Sequence, residues 1–315
     1  MRVPRPPVIA TPAFSSVTPS QRRLPQTRSV LPYFPNDGDY VRLPVGPGAL
    51  HAMRYGHGGP AVLLVHGFTT SAPLWQHVAP ILLASGCQVI VPDLLGFGES
   101  DRPVGGPYTV VAQARYLDRA LALLRISRVV AVGQDLGCVV VRRLAAIRPV
   151  RIDTLVLCSP TPQDLAGGPE IEAVRGQTGP ALLEISSRPL GVVELLGPVL
   201  RAAVAEPGTM PDRMVARFSA PYTGSQGARH LLDLARAVAE EEDALPLAVS
   251  GPGTLRVTGE ADPMVAPPTA SMIRLPGAMR LLPLERPAPL AALIMERVLR
   301  FIDLPASLEE QGRPD

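Results

Sequence analysis

Gly133, Gln134, Asp135, Leu136 and Gly137 follow at once on the apolar run Val129–Val132 and lead into a helical pattern from Cys138 to Ile147, which stops near Pro149. No other stretch constrains the fold as strongly. A strand buried on both faces must turn into a helix within a few residues. A glycine two positions to either side of the aspartate lets neighbouring backbone pass close to the turn. The helix start supplies N–H groups beside the side chain at the tip. Two readings of Asp135 follow. It can cap the helix through its carboxylate, or it can present that carboxylate to an electrophilic carbon and form an ester.

The same alternation of short apolar runs and helical spacing recurs on both sides. Ala61–Val65, Gln88–Val91, Val129–Val132 and Thr154–Leu157 read as buried strands. Helices are predicted over Trp75–Ala84, Thr109–Leu124 and Cys138–Ile147. Strand, helix, strand in this order implies a mostly parallel sheet with helices on its faces, an α/β fold. From about Thr161 to Leu247 the strand signal stops and helical patterns broken by Gly and Pro take over, with Gly227–Ala244 the clearest. Its acidic end, Glu240–Asp243, reads as solvated surface that opposes the helix dipole and frays. Strands resume at Thr254–Thr258 and Met272–Leu275. The predicted organisation is therefore a core of 30–160 and 248–306, a helical cap of 161–247, and disordered tails at 1–29 and 307–315.

Composition narrows the function classes. At 46% hydrophobic, 315 residues can bury a large core, and a net charge of +2 gives no strong pull toward nucleic acid or an anionic membrane. All the basic residues are arginine. Cys87, Cys138 and Cys158 sit in apolar surroundings without metal-ligand spacing, and read as buried reduced thiols of a cytoplasmic protein. The proline- and arginine-rich start lacks the apolar stretch of a signal peptide, and no run is long enough to span a membrane. Gly96 and Gly98 form a lone glycine pair without a dinucleotide fingerprint. No metal and no cofactor is expected.

From Leu31 to Leu304 the chain resembles α/β-hydrolase-fold proteins, and its aspartate-centred elbow resembles their haloalkane dehalogenase and epoxide hydrolase branch. The residues that carry the resemblance are His66–Phe68 after the first buried strand, Pro92–Asp101 after the next, the elbow itself, and Gly259–Pro263 in the acid loop. It implies Asp135 as nucleophile, Asp262 as the triad acid, and the backbone N–H groups of Phe68 and Leu136 as oxyanion donors. It implies a structural role for His66. It also expects a histidine between Leu275–Ala278 and Pro283–Pro287, where this chain has Arg280. Arginine cannot take a proton from water. His51, His57, His77 and His230 fall elsewhere in the pattern. The same alignment predicts that Arg280 pairs with Asp262.

The polar groups of the two specialised activities are also incomplete. Leu136 and Phe68 stand where dehalogenases of this branch place tryptophan and asparagine. Trp75 is the one tryptophan, and the predicted cap has one tyrosine, Tyr222. Trp75 and Tyr222 are candidate pocket residues; Trp75 also reads as core. Three functions remain open. One is a hydrolase with a displaced base. Another is an altered enzyme in which Asp135 acts as a base in elimination, isomerisation or cyclisation. The third is a binding protein that has kept the pocket. A small, largely apolar molecule is the expected partner of such a cleft.

Overall fold

The computed structural model describes residues 38–160, 169–177, 179–188, 191–238, 253–263 and 272–302. The predicted tails and the acidic run Glu240–Asp243 lie outside the described residues. Eight strands form one sheet in the order β1-β2-β4-β3-β5-β6-β7-β8. These are β1 (Gly38–Pro44), β2 (Ala49–Tyr55), β3 (Ala61–Val65), β4 (Gln88–Pro92), β5 (Val129–Gln134), β6 (Ile152–Cys158), β7 (Leu255–Gly259) and β8 (Met272–Leu275). β1 and β2 form an antiparallel hairpin, β2 runs antiparallel to β4, and every later pairing is parallel. β3 and β5 are buried along their whole length, which is why they read as unbroken apolar runs.

The helices of the core are α1 (Ala79–Ala84), α2 (Val110–Leu123), α3 (Leu136–Ile147), α9 (Leu282–Glu285) and α10 (Pro287–Ile302). Thr109 caps α2 by accepting the N–H of Ala112. The helix predicted over Trp75–Ala84 divides into a short 3₁₀ turn, Ala72–Trp75, and α1. Pro73 and Pro80 both sit at helix starts, where a missing N–H costs nothing. Between β6 and β7 the described residues hold only helices: α4 (Pro169–Arg175), α5 (Gly179–Ser187), α6 (Gly191–Ala202), α7 (Asp212–Ser219) and α8 (Gly224–Ala237).

The loop after β4 is organised by a buried carboxylate. Asp93 accepts the N–H of Ala72 at 2.6 Å, the N–H of Glu99 at 2.9 Å and His51 Nδ1 at 3.2 Å. Burial pushes its pKa up, but the His51 hydrogen bond, nearby imidazole charge and the Ala72 N–H outweigh it, and the net direction is down. Stability from Asp93 is therefore present above the ordinary aspartate pKa of about 3.9 and lost as pH falls through the lower folded value. Asp93→Ala strands three donors and should cost about 3–5 kcal/mol in urea unfolding at neutral pH. The difference from wild type should shrink as pH drops below about 4.

Candidate functional site

The elbow forms as its sequence requires. Asp135 takes φ 51° and ψ −116°, a region that L-residues rarely occupy. The flanking glycines explain how the turn fits. A Cβ on Gly133 would lie 2.4 Å from the Gly137 carbonyl carbon, and one on Gly137 would lie 2.4 Å from the Val65 carbonyl oxygen. The backbone is fixed by Asp135 N–H donating to Cys158 O at 3.1 Å and Cys138 N–H donating to Asp135 O at 2.8 Å. The side chain makes no helix-capping bond. Of the two readings of Asp135, the capping one is excluded.

The carboxylate instead faces two donors. Its Oδ2 accepts the N–H of Phe68, in the loop after β3, at 3.3 Å. Among the described hydrogen bonds none joins the Leu136 N–H to this carboxylate. Oδ1 accepts Arg280 Nη2 at 2.9 Å. Asp135 is 6% exposed and Arg280 5%. This ion pair of Arg280 with the elbow aspartate is one that the alignment did not predict. The cause lies in the backbone. Gln134 Nε2 and Ser159 Oγ, at the ends of β5 and β6, each donate to Arg280 O at 2.9 Å. Arg280 N–H and Leu281 N–H donate to Ala203 O at 3.0 and 3.1 Å. These bonds draw residue 280 over the end of β5 and bring its guanidinium to Asp135.

Asp262 is buried in the loop after β7. That loop meets the Arg280 loop as expected, through Ala261 N–H to Ala278 O and Glu260 N–H to Leu275 O, both at 3.0 Å. His66 has the structural role expected of it. Its Nδ1–H donates to Gly67 O at 2.7 Å and its Nε2 accepts the Leu94 N–H at 3.0 Å, which defines a neutral tautomer. Burial lowers its pKa.

None of the five histidines hydrogen-bonds to Asp135. His51 bonds to Asp93, His57 pairs with Asp39, His230 donates to Gly96 O at 2.7 Å, and His77 is exposed. Tyr222 is buried and stacks on His230, with its phenol pushed well above the usual range by burial. Trp75 is fully enclosed in the core, and its indole N–H lacks a partner among the described residues. Cys138 and Cys158 are buried thiols, and desolvation raises both pKa values. Among the described residues no group of His, Cys, Asp and Glu could hold a metal ion, and no helix is long and apolar enough to cross a membrane.

Sequence reasoning missed three residues of this site: Gln134, Ser159 and Glu285. Gln134 lies inside the elbow, but nothing in the pattern says where its amide points. Ser159 and Glu285 act on backbone atoms 121 and 80 residues away, which leaves no signature in spacing.

The family described as alpha/beta hydrolase fold matches residues 60–180, which include the Phe68 loop and the elbow and end before Asp262 and Arg280. The architecture agrees. A crystal structure of Cfl2 from Burkholderia cenocepacia superposes with a TM-score of 0.70 over 82% of this chain and 95% of that one, at 24% identity. The chain has the alpha/beta hydrolase fold. Among curated proteins, this alpha/beta hydrolase-fold chain is 36% identical over 111 residues to a haloalkane dehalogenase of Mesorhizobium japonicum, covering 35% of each. It is 38% identical over 99 residues to epoxide hydrolase 3 of Siraitia grosvenorii, covering 31% of each. The alignments span about a third of the length of these relatives.

Proposed function

We propose that this alpha/beta hydrolase-fold chain is an Asp-centred enzyme that transforms a small, largely apolar molecule without hydrolysing it, with Asp135 as general base and Arg280 as its charge partner. The observation that carries this reading is the buried contact of 2.9 Å between Arg280 Nη2 and Asp135 Oδ1, at the position where the resemblance expects a histidine. A hydrolytic cycle on an aspartyl ester needs a base to activate water. Guanidinium cannot fill that role, because it stays protonated throughout the accessible pH range.

A proton transfer from substrate carbon suits the pair better. The substrate C–H bond breaks, its proton goes to an Asp135 oxygen, and the electron pair stays on the substrate. Asp135 is then neutral, and the buried Arg280 guanidinium no longer faces a negative charge at 2.9 Å. That state is costly unless the substrate's new negative charge lies close to the guanidinium. Arg280 therefore favours substrates in which the charge forms beside the reacting carbon, on a carbonyl oxygen or a departing anion. The Phe68 N–H, released from Asp135 Oδ2, is a second donor to that charge. Elimination, isomerisation and cyclisation all fit this sequence of events. We assign the helices between β6 and β7 the role of a cap over the elbow, a small, largely apolar molecule as the partner, and the cytoplasm as the location.

The test is a panel of small ketones, alkyl halides and epoxides incubated with the protein in deuterium oxide, with products followed by NMR. The expected result is deuterium exchange at carbon, or eliminated or rearranged product, lost in Asp135→Asn. Multiple-turnover formation of alcohols or diols from halides or epoxides would overturn the proposal.

A further inference from the structure

Glu285 closes the short helix α9 and is buried, and its carboxylate accepts hydrogen bonds from backbone N–H groups. Its Oε1 accepts the Ala205 N–H at 2.7 Å, and both its oxygens lie within hydrogen-bond reach of the Met279 N–H, at 3.2 and 3.0 Å. Met279 immediately precedes Arg280. Ala205 lies just beyond α6, two residues after Ala203, whose carbonyl holds the N–H groups of Arg280 and Leu281. Residues 203–205 and 279–281 are thus stitched together at two places: through one backbone carbonyl and through one carboxylate. On its other side the Arg280 loop is pressed against β7, where a Cβ on Gly259 would lie 2.0 Å from Met279 O.

A carboxylate is an expensive choice at this place. Burial pushes the Glu285 carboxyl above the usual range and the Asp262 charge pushes it the same way, against the two N–H bonds that lower it. An apolar side chain of the same volume would pack without that penalty, but it could not satisfy two N–H groups on different segments at once. The geometry is that of a clasp between the end of a helix in the β6–β7 insert and the loop that aims Arg280.

We propose that Glu285 is a positioning residue for Arg280, holding the end of α6 and the Arg280 loop as one unit so that the Asp135–Arg280 contact depends on how the helical insert is seated. The inference rests on the reading of Asp135 and Arg280 as the working centre.

The experiment is a double-mutant cycle on Asp135→Asn and Arg280→Met, measured by urea unfolding of the full chain in the wild-type and Glu285→Gln backgrounds. Glu285→Gln keeps one acceptor oxygen and the side-chain volume, and removes the second acceptor and the charge. The wild-type cycle should show clear coupling, and Glu285→Gln should weaken it about tenfold in the folding equilibrium constant. Leu282→Ala, which loosens α9 without touching the clasp, should lower stability and leave the coupling unchanged. If Glu285→Gln lowers stability but leaves the coupling intact, Glu285 is only structural and the proposal is overturned. If coupling is absent in the wild-type background, the reading of the Asp135–Arg280 pair fails instead. If Glu285→Gln does not fold, Glu285→Asp replaces it, and unchanged coupling there overturns the proposal in the same way.

Discussion

Replacing Arg280 with methionine should destabilise the protein by about 3–5 kcal/mol, although methionine packs well in apolar surroundings. The loss comes from Asp135. Its carboxylate would stay buried with the Phe68 N–H as its remaining described donor, at 3.3 Å. Asp135→Asn should also cost stability, by removing the negative charge that the guanidinium faces at 2.9 Å. In the double variant both members of the pair are gone together, so its loss should fall short of the sum of the single losses by about 1–3 kcal/mol. Trp75, fully buried, provides a fluorescence signal for unfolding in each variant. Strictly additive losses would mean that the contact contributes little, and would remove the electrostatic basis of the proposed chemistry.

The second large effect concerns turnover. Asp135→Asn keeps the shape of the elbow and both donors' partners, but it removes the proton acceptor. Carbon-proton exchange with the responsive members of the substrate panel should fall by about 10²–10⁴-fold. Arg280→Met should also reduce it, by about 10²–10³-fold, because the charge formed on the substrate loses its counter-ion. Arg280→Lys restores a charge but not the planar fork, and should recover part of that loss. The comparison among these three variants separates roles. If Arg280 merely orients Asp135, lysine and methionine should behave alike. If it stabilises the transition state, lysine should be clearly better. Activity retained in Asp135→Asn would exclude the aspartate from the reaction altogether.

Much of the fold is legible from the sequence, for a physical reason. Strands buried on both faces, such as β3 and β5, cannot alternate polar and apolar residues, so Ala61–Val65 and Val129–Val132 stand out as unbroken runs. The hairpin of β1 and β2 is not picked out in this way. Its strands mix buried and partly exposed residues, and Arg42, Arg54 and His51 interrupt any apolar run. The elbow is legible because its glycines are required by contacts under 2.5 Å. What stands opposite Asp135 was half legible. The sequence places Arg280 in this turn but does not show that its guanidinium reaches Asp135. Its direction depends on Gln134, Ser159 and Ala203, whose bonds to its backbone join four separate segments. Such bonds are set by tertiary packing, and residue spacing does not encode them.

The central claim is that Arg280, held on Asp135 Oδ1, leaves this site without a water-activating step. The most direct measurement uses heavy-oxygen water. When an aspartyl ester is hydrolysed by attack of water at its carboxyl carbon, an oxygen atom from solvent enters the aspartate, so every hydrolytic cycle labels that residue. The wild-type protein is incubated in heavy-oxygen water with a reactive alkyl halide, an epoxide and a simple ketone in separate samples, and the peptide containing Asp135 is then analysed by mass spectrometry. The expected result is an Asp135 peptide without heavy oxygen, either unmodified or carrying a persistent ester. Heavy oxygen accumulating in Asp135 with successive turnovers would contradict the claim and establish hydrolysis at this elbow.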